Sequence, residues 1–564
     1  MFARFKLLSN MAIALTTGTA LFAFASQSTS AGQNPLVPRV IKPRTGSIPT
    51  GPFGLGPISQ PPRDFAADTA TPAPFFPTPI QLTPPPNANA TSSFSFPSAV
   101  SCTSPGNCVA VGFYLDSKQS FQGMIITETD GVWGQGVEVA LPANAAAGTS
   151  PFGQFANFNL NSLTCTSPGN CVAVGNYTDN NGNSPLFILT ETNGVWAQGA
   201  ELNLLLPANA AANTVTLVGL TCTSAGNCVA VGVYDDAKGN NHPLAVNEIN
   251  GVWAPGVEIA PPANADPNPH GAMPCGTCQF IGGVELDSVS CFRSGNCVAG
   301  GFYTDTTPNS DPMIATETDG VWSRAIELTL PSNASIAQGI QEAFIGALTC
   351  FSPGSCTAGG GYSDITGSSQ PLVVNQTHGV WAQGFELTLP ANAATAPGTQ
   401  SAYLNGLTCT SRGNCIAYSA YNDIYGAGQP LVITETGGVW AQGIEPPLPA
   451  NATTTPGAQN SNIYGASCTS PGVCVAVGNY TDMAGNLQLM AYTTVPTLSI
   501  KTAGLPSATA GSNYWARLFA AGGVGPNKWS VSAGSLPAGL TLNVSTGRSP
   551  ARQPRAGHPV SPSR

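Results

Sequence analysis

Residues 101–112 read Ser-Cys-Thr-Ser-Pro-Gly-Asn-Cys-Val-Ala-Val-Gly, and this stretch returns six more times, with small changes, along the 564-residue chain. The first cysteine of each copy lies 57 to 69 residues after the previous one. The seven first cysteines are Cys102, Cys165, Cys222, Cys291, Cys350, Cys409 and Cys468. A repeat of this length over most of a chain indicates a fold built from similar neighbouring units.

Each repeat offers four short β-segments, which read Leu-Thr-Cys, Cys-Val-Ala-Val-Gly-x-Tyr, Pro-Leu-x-x-x-Thr-Glu-Thr and Glu-Leu-x-Leu-Pro. Val, Ile, Leu, Thr and Tyr dominate these segments, and Gly, Asn, Pro and Asp separate them, as in strands joined by tight turns. Four strands in about 60 residues, repeated, are typical of a β-propeller blade. The sequence therefore predicts an all-β chain with a seven-bladed propeller of four-stranded blades.

The two ends of the repeat region predict that the ring is closed. The last repeat has neither a Gly-Val-Trp nor a Glu-Leu segment after residues 487–494. A matching segment stands at the front instead, where residues 80–84 read Ile-Gln-Leu-Thr-Pro and residues 87–90 read Asn-Ala-Asn-Ala. We expect this N-terminal strand to complete the last blade, which would remove exposed sheet edges. The alternative architectures are an open β-solenoid and a string of small domains.

The N-terminus has the features of a signal peptide over residues 1–25. Arg4 and Lys6 precede a largely apolar stretch, and Ala23-Phe24-Ala25 fits the small-residue cleavage pattern. A membrane anchor is the alternative. Residues 26–78 are rich in proline and are expected to be a linker, and residues 79–495 are the predicted propeller. No other segment has 18 consecutive apolar residues, so we expect no transmembrane span in the mature chain.

The 16 cysteines, an even number in a chain with an export signal, favour disulfides. Fourteen form Cys-x₅-Cys pairs, and a hairpin would bring each pair within disulfide reach. The predicted bridges are Cys102–Cys108, Cys165–Cys171, Cys222–Cys228, Cys291–Cys297, Cys350–Cys356, Cys409–Cys415 and Cys468–Cys474. Cys275 and Cys278 lie in an insert near His270, where a tight loop disulfide is favoured over a metal or redox motif. Zinc binding by the repeated pairs is the rival, but they lack histidine partners.

Recurring carboxylates form three sets. We expect the first to cap hairpin turns by accepting backbone N–H bonds: Asp116, Asp179, Asp235, Asp305, Asp364, Asp423 and Asp482. The other sets are Glu138, Glu201, Glu258, Glu327, Glu386 and Glu445, and Glu128, Glu191, Glu248, Glu317 and Glu435. Calcium is the functional alternative at Asp179, Asn181 and Asn183, whose oxygens suit a hard cation that would bind weakly.

Six tryptophans recur in the Gly-Val-Trp segments: Trp133, Trp196, Trp253, Trp322, Trp381 and Trp440. We expect them to pack between blades as core, and a row of sugar-stacking rings is the alternative.

Charge excludes one class of partner. The chain has 18 basic and 28 acidic residues, a net charge of −10. From residue 79 to residue 495 there are 26 acidic and 5 basic residues, a net −21, whereas seven basic and no acidic residues follow. A body of this charge repels phosphate, so nucleic acid is not an expected partner, and cations or basic partners are favoured.

Signatures of catalysis are sparse. The four histidines, His242, His270, His378 and His558, do not cluster in the sequence. No nucleophile elbow, zinc-protease motif or phosphate loop is present. Propeller sialidases carry Ser-x-Asp-x-Gly-x-Thr-Trp boxes and an arginine cluster, which are absent here. A glycosidase that uses two repeated carboxylates in the central channel stays open as an alternative.

The C-terminal segment resembles the Ig-like domain family of bacterial surface proteins. The residues that carry the resemblance are 505–514, 521–531, 534–542 and 545–547. The family implies a small β-sandwich, often in adhesive or spacer roles, here over residues 496–548. The family pattern continues Thr-Gly-x-Ile-Ser-Gly-Thr-Pro, whereas this chain reads Arg-Ser-Pro-Ala-Arg from Arg548. We hypothesise a frameshift that truncates the domain and leaves residues 549–564 as a disordered basic tail.

The repeat itself resembles secreted, actinobacterial-type propellers with Cys-Val-Ala-Val-Gly blades, a group that implies no particular activity. These observations together predict a secreted or cell-surface, non-catalytic binding or adhesion protein without a cofactor, whose partner is an unknown glycan or protein. The alternatives are a carbohydrate-active enzyme that uses channel carboxylates and a purely structural surface protein. Clustered carboxylates with an exposed Trp in the channel would favour the enzyme. Channel side chains that are the same in every blade would favour a binding or structural role.

Overall fold

A computed structural model describes residues 79–89, 94–146, 158–267, 283–494 and parts of 499–552. The described residues form strands and turns, and they include no helix, hence none long and apolar enough to cross a membrane. The predicted signal peptide and linker lie outside the described residues.

The strands of the first four blades follow the N-terminal strand Pro79–Gln81 (β1). The first blade contains Ser95–Ser104 (β2), Asn107–Leu115 (β3), Phe121–Thr129 (β4), Val132–Trp133 (β5) and Val137–Glu138 (β6). The second contains Phe158–Ser167 (β7), Asn170–Tyr177 (β8), Leu186–Thr192 (β9), Val195–Trp196 (β10) and Ala200–Glu201 (β11). The third contains Thr216–Ser224 (β12), Asn227–Asp235 (β13), Asn241–Ile249 (β14), Val252–Trp253 (β15) and Val257–Glu258 (β16). The fourth contains Val284–Arg293 (β17), Asn296–Thr304 (β18), Ser310–Thr318 (β19), Val321–Trp322 (β20) and Ile326–Glu327 (β21).

The remaining three blades repeat the pattern. The fifth contains Phe344–Ser352 (β22), Ser355–Ser363 (β23), Ser369–Thr377 (β24), Val380–Trp381 (β25) and Phe385–Glu386 (β26). The sixth contains Tyr403–Ser411 (β27), Asn414–Asn422 (β28), Gly428–Thr436 (β29) and Val439–Trp440 (β30). The seventh contains Asn462–Ser470 (β31), Val473–Thr481 (β32) and Leu487–Thr493 (β33). Four strands follow: Ser499–Ile500 (β34), Asn513–Arg517 (β35), Ala520–Ala521 (β36) and Arg548–Arg552 (β37).

Each blade is an antiparallel sheet with the first strand of the repeat at one edge. In the first blade the order is β2-β3-β4-β5, and the short strand β6 pairs with β4 beside β5. The Gly-Val-Trp and Glu-Leu segments therefore share the fourth-strand position. The first strands of the seven blades contact one another in chain order, and β31 contacts β2. The seven first strands thus form a closed ring around the propeller axis, and the open-solenoid alternative is wrong.

The N-terminal strand closes the ring as the sequence predicted. In the seventh blade the order is β1-β33-β32-β31, with Gln81 opposite Met490. At the seam between the seventh and first blades, the Cys102 amide donates to Ser467 Oγ at 3.0 Å, and the Cys165 amide makes the same bond to Ser101 one blade on. The seam is therefore built like an ordinary blade interface.

The hydrophobic core is divided among the seven blade interfaces. Seven buried clusters are present, and each combines residues of two neighbouring blades. At the seam, for example, Val100 and Met124 of the first blade pack with Val477 and Leu489 of the seventh and with Leu82. Because each blade buries apolar side chains on both of its faces, the ring is stabilised interface by interface.

The propeller has two distinct faces. The disulfide face carries the Cys-x₅-Cys hairpins and the Gly-Val-Trp hairpins, which are joined by bonds such as Gly131 N to Gly106 O at 2.9 Å. The Asx face carries the turns between the second and third strands, each of which begins with an aspartate. The first strand of every blade starts at the Asx face and ends in a disulfide hairpin.

The C-terminal segment is described only in part. Strand β34 pairs with β36, and β35 pairs with β37. The boundary of the predicted basic tail, at residue 549, falls inside β37. The Ig-like sandwich over residues 496–548 stays a prediction.

Candidate functional site

All seven repeated cysteine pairs are disulfides in the structure. Each joins residues directly opposite each other on the first two strands, with Cα atoms 3.9–4.1 Å apart, and no described cysteine is free. The turn inside each ring needs glycine: Gly169 has a φ of 72°, and an added Cβ would lie 2.5 Å from the Gly194 amide nitrogen. The disulfides are structural, which removes the zinc alternative for these fourteen residues. Cys275 and Cys278 lie outside the described residues.

The repeated aspartates hold the turns of the Asx face. In the first blade, Asp116 Oδ1 accepts from the Lys118 amide at 2.9 Å and the Ser120 amide at 2.8 Å. The same two bonds occur in every blade. In the third blade the turn residue is Asp236, so the assignment to Asp235 was wrong. Asp236 stands in the Tyr-x-Asp position, whereas Asp235 ends β13 and accepts from Asn241 Nδ2 at 2.6 Å.

The three calcium candidates form one of these turns. Asp179 Oδ1 accepts from the Asn181 and Asn183 amides at 2.9 and 2.8 Å, and its Oδ2 accepts from Asn183 Nδ2 at 3.0 Å. These bonds lower the pKa of Asp179, with the Asn183 side chain as the largest cause. The asparagine nitrogen faces the carboxylate, whereas a cation would need the asparagine oxygen. No group of three or more metal-ligating side chains occurs in the described parts of the chain, and calcium stays a weak prediction.

The first glutamate set is bonded to tyrosines. Tyr114 Oη donates to Glu138 Oε2 at 2.7 Å and lies 2.8 Å from Asn87 Oδ1. This Tyr–Glu–Asn triad recurs in six blades, with Tyr–Glu distances of 2.6 to 3.1 Å. Burial and the adjacent carboxylate raise the pKa of the tyrosines, that of Tyr177 to about 12. Because the asparagine comes from the outer segment of the preceding blade, each triad ties two blades together.

The second glutamate set lies buried between blades, on the third strands near the disulfide face. Glu128 is 1% exposed and Glu317 is equally buried. Asn247 Nδ2 of the third blade donates to Glu317 Oε1 at 2.6 Å. Burial raises the pKa of every member, that of Glu128 to about 7. Gln376 occupies the position in the fifth blade and Thr494 in the seventh, so the position tolerates neutral residues.

The six repeated tryptophans are half-buried and pack against the interblade clusters, as predicted. The valine before each is strongly exposed, for example Val132 at 71%. The two described histidines, His242 and His378, lie on different blades, and His242 Nδ1 is 2.9 Å from Glu258 Oε1. His270 and His558 lie outside the described residues.

The acidic residues outside the repeated sets concentrate on the fourth blade. Residues 283–342 contain eight acidic residues and two arginines, a net charge of −6. Arg293 and Arg324 belong to the disulfide face, where Arg293 lies within the Cys291–Cys297 hairpin and Arg324 lies two residues after Trp322. Four of the acidic residues have no acidic counterpart at the same position in the other blades: Glu285, Asp287, Asp311 and Glu342.

Glu285 and Asp287 lie near the start of the innermost strand of the fourth blade. Asp287 occupies a β-bulge between Leu286 and Ser288, and both acids are half-buried. At the same bulge, Asn161 Nδ2 of the second blade donates to Leu217 O of the next inner strand at 2.7 Å. Asp311 lies on β19 of the same blade, opposite Tyr303, and burial with the neighbouring Glu327 and Asp305 carboxylates raises its pKa to about 7.

One position of the inner strands differs from blade to blade, and we call it the rim position. It is the residue two places before the bulge, at the Asx-face end of the channel. Its seven occupants are Phe96, Asn159, Thr216, Glu285, Phe344, Tyr403 and Asn462. All but Phe96 and Asn462 are half-buried. The core and the turns of the ring repeat from blade to blade, whereas the rim position carries five different residue types at the channel mouth.

The fifth and sixth blades supply an aromatic pair beside the acidic blade. The rings of Phe344 and Tyr403 have centroids 5.8 Å apart in an edge-to-face arrangement. Gly361 makes room for them, because a Cβ there would lie 2.7 Å from Tyr403 Cβ and 3.1 Å from Phe344 Cε1. On the other side of the mouth, Phe96 stacks on Phe113 at 5.4 Å and contacts Tyr464 at 5.8 Å.

The candidate site is therefore the channel mouth on the Asx face, with Glu285 and Asp287 next to the Phe344–Tyr403 pair. The repeat markers used in the sequence analysis did not identify these residues, because they are the positions that do not repeat. A column-by-column comparison of the seven units would have found them. The same comparison would also identify Asp311 as an unrepeated acid. Its position is occupied by glutamine in four other blades: Gln122, Gln370, Gln429 and Gln488.

No protein-family model matches the sequence, and neither does any curated protein. Among solved structures, similar folds include a protein of unknown function from Dyadobacter fermentans, 9% identical over 74% of this chain and 97% of that chain, with a TM-score of 0.37. An ulvan lyase is 10% identical over 72% of this chain and 94% of that chain, with a TM-score of 0.42. The fucose-specific lectin of Aleuria aurantia is 10% identical over 63% of this chain and 97% of that chain, with a TM-score of 0.34. Likeness at this level concerns the fold and says nothing about what this chain binds.

Proposed function

We propose that this chain is a secreted or cell-surface, non-catalytic binding protein whose ligand lies at the channel mouth on the Asx face. The observation that carries the proposal is the rim position, where five residue types at seven places break a repeat that is otherwise nearly uniform. Side chains that a scaffold needs recur in every blade, as the turn aspartates do. Variation confined to one concave region is the pattern of a single ligand site on a repeating frame.

Extracellular placement rests on the disulfides. Seven cross-strand bridges persist in an oxidising compartment and are rare in a reducing one. The bridges and interblade bonds make a rigid frame, so the mouth residues are held in place before a ligand arrives.

The chemistry of the mouth favours a basic ligand with an apolar or planar face. Glu285 and Asp287 supply negative charge, and the Phe344–Tyr403 pair supplies ring surfaces that attract cations and planar groups. The charge of the fourth blade would repel an anionic ligand. A basic segment of a cell-surface protein or an amino-sugar glycan has both properties.

A carbohydrate-active enzyme is the second candidate. Glu285 and Asp287 are two unrepeated carboxylates on one inner strand, and paired carboxylates are the usual apparatus of glycoside hydrolysis. The recurring carboxylates do not support this reading, because each described set is engaged in turns, triads or blade interfaces. A purely structural surface protein is the third candidate.

The test is binding of the full chain to a glycan array and to a panel of basic, neutral and acidic peptides. The site variant is Glu285→Asn with Asp287→Asn, which installs residues native to other blades at both positions (Asn159 and Asn161). Asp130→Asn is the matched control on the disulfide face, where Asn193 and Asn250 are native equivalents. Binding that the site variant loses and the control keeps supports the proposal. Release of sugar from a bound glycan would favour the enzyme, and absence of all binding would favour the structural role.

A further inference from the structure

The closure seam contains buried polar atoms that have no protein partner among the described residues. They are both carboxylate oxygens of Glu128, the indole Nε1 of Trp133 and the hydroxyl of Thr493. Glu128 and Trp133 are directly opposite each other on β4 and β5 of the first blade, and Thr493 ends β33 of the seventh. Buried polar groups in folded proteins nearly always have a partner, so this set calls for an explanation.

The interface between the third and fourth blades shows how these groups face one another. Asn247 and Thr493 occupy the same position, each opposite the valine that follows the second cysteine. Asn247 reaches across and donates to Glu317, which is the counterpart of Glu128. The Thr493 hydroxyl is one bond closer to the main chain than the amide nitrogen of an asparagine, so it reaches less far toward Glu128.

We infer that the seam holds a buried water molecule that accepts a hydrogen bond from Trp133 Nε1–H and bridges Thr493 Oγ1 to the Glu128 carboxyl. Three polar partners are the usual number for a buried water. A metal cation fits poorly here, because the indole would point a hydrogen atom at it. At the seam, the water takes the place that the Asn247 amide occupies at the interface between the third and fourth blades.

This arrangement makes the seam sensitive to protons. The groups packed around it are apolar or neutral: the cluster at this interface consists of aliphatic side chains, the Cys102–Cys108 disulfide, Trp133 and Tyr114, whose hydroxyl is bonded at the Asx face. Burial is the sole cause of the raised pKa of Glu128. A neutral Glu128 shares the water at low pH, whereas an ionised one is a buried charge without a counter-ion. Glu317 differs because Asn247 bonds it, and Gln376 carries no charge.

The decisive experiment combines a crystal structure of the full chain, at a resolution that shows ordered water, with thermal unfolding between about pH 5 and pH 8. We expect water density within hydrogen-bond distance of all three atoms and a melting temperature that falls as pH rises. Glu128→Gln, which copies Gln376, and Thr493→Asn, which copies Asn247, should each remove at least half of that fall. Glu317→Gln, at an interface that already has its amide donor, is the control and should remove less.

Thr493→Asn should also displace the water, with the new amide bonded to Glu128. Absence of density at the three atoms overturns the inference about the water. A pH dependence that is the same in the wild type, Glu128→Gln and Thr493→Asn overturns the inference about the seam. Two independent variants keep the test decisive if one of them fails to fold.

Discussion

Tyr480 and Asn451 meet across the sixth and seventh blades without the glutamate that completes the same contact elsewhere. Tyr480 Oη donates to Asn451 Oδ1 at 2.8 Å, and Gln81 of the closing strand occupies the glutamate position, opposite Met490. In the first blade, Glu138 lies opposite Met124 and accepts from Tyr114. The ring therefore contains six complete triads and one natural variant of the triad at its point of closure.

This variant predicts a stabilising substitution. Gln81→Glu should complete the seventh triad and raise the free energy of unfolding by about 1 kcal/mol, since a bond to an ionised acceptor in a partly exposed site is worth roughly that much. Chemical denaturation of the full chain measures the change. The gain should disappear in a Gln81→Glu, Tyr480→Phe double variant. An equal gain in both backgrounds would show that the triad is not its source.

Removing a tyrosine hydroxyl should lower the free energy of unfolding more in a blade that has the glutamate than in the seventh blade, which lacks it. Tyr421→Phe deletes contacts with both Asn392 and Glu445, whereas Tyr480→Phe deletes only the contact with Asn451. We expect Tyr421→Phe to be more destabilising by about 1 kcal/mol, because it removes one of the two donors to the charged Glu445 acceptor and leaves only Asn392 Nδ2. Matched urea titrations compare the two variants, and equal decreases in the free energy of unfolding would contradict a role for the glutamate.

The stability of the chain should be greatest in mildly acidic solution. The buried glutamates have raised pKa values, so the folded chain binds more protons than the unfolded one above their ordinary value of 4.5. Their contribution is therefore present at low pH and is lost as pH rises through their folded pKa, about 7 for Glu128. The turn carboxylates of Asp364 and Asp482 have lowered pKa values, and their contribution is lost below about pH 3.8. Calorimetry across this range should show a maximum near pH 4 to 5, and a maximum above pH 7 would contradict the assignment.

One disulfide can be removed to measure what each hairpin bridge contributes. Cys409→Ser with Cys415→Ser opens the ring in the sixth blade. For so short a loop, the chain-entropy model predicts a loss of about 2.4 kcal/mol. The variant should still fold, because six described bridges remain and each blade interface keeps its own core. Unfolding of wild type and variant with and without a reductant checks this, and the two should converge under reducing conditions.

Gly361 links the aromatic pair to the fold. Gly361→Ala should displace the Phe344 and Tyr403 side chains, because the added Cβ would lie 2.7 Å from Tyr403 Cβ. We expect a destabilisation of about 1–3 kcal/mol from overpacking and weaker binding of any ligand that uses these rings. The control is Ala420→Gly, since Ala420 is native at the same position one blade on. Unchanged binding in Gly361→Ala would remove the aromatic pair from the candidate site.

The sequence by itself determined the features that form within one repeat. A Cys-x₅-Cys pair closes its own hairpin, and Asp116 bonds amides only two and four residues away. Such contacts depend on local geometry, so the repeat predicted the disulfides, the turns, the number of blades and the closing strand. The error at Asp235 was also local, a choice between neighbouring acids that the Tyr-x-Asp spacing decides.

Only the tertiary structure decided what the two glutamate sets do and where the blades differ. Glu138 meets Tyr114 and Asn87 from distant segments, and Glu128 is buried only because the seventh blade packs against the first. These roles depend on strand register and on ring closure, which set side chains from separate repeats against each other. The packing of consecutive blades sets the inner strands of the unrepeated Glu285, of Phe344 and of Tyr403 side by side, although these residues stand 59 positions apart in turn along the chain. A single repeat contains none of this information, because each of these contacts is made between blades.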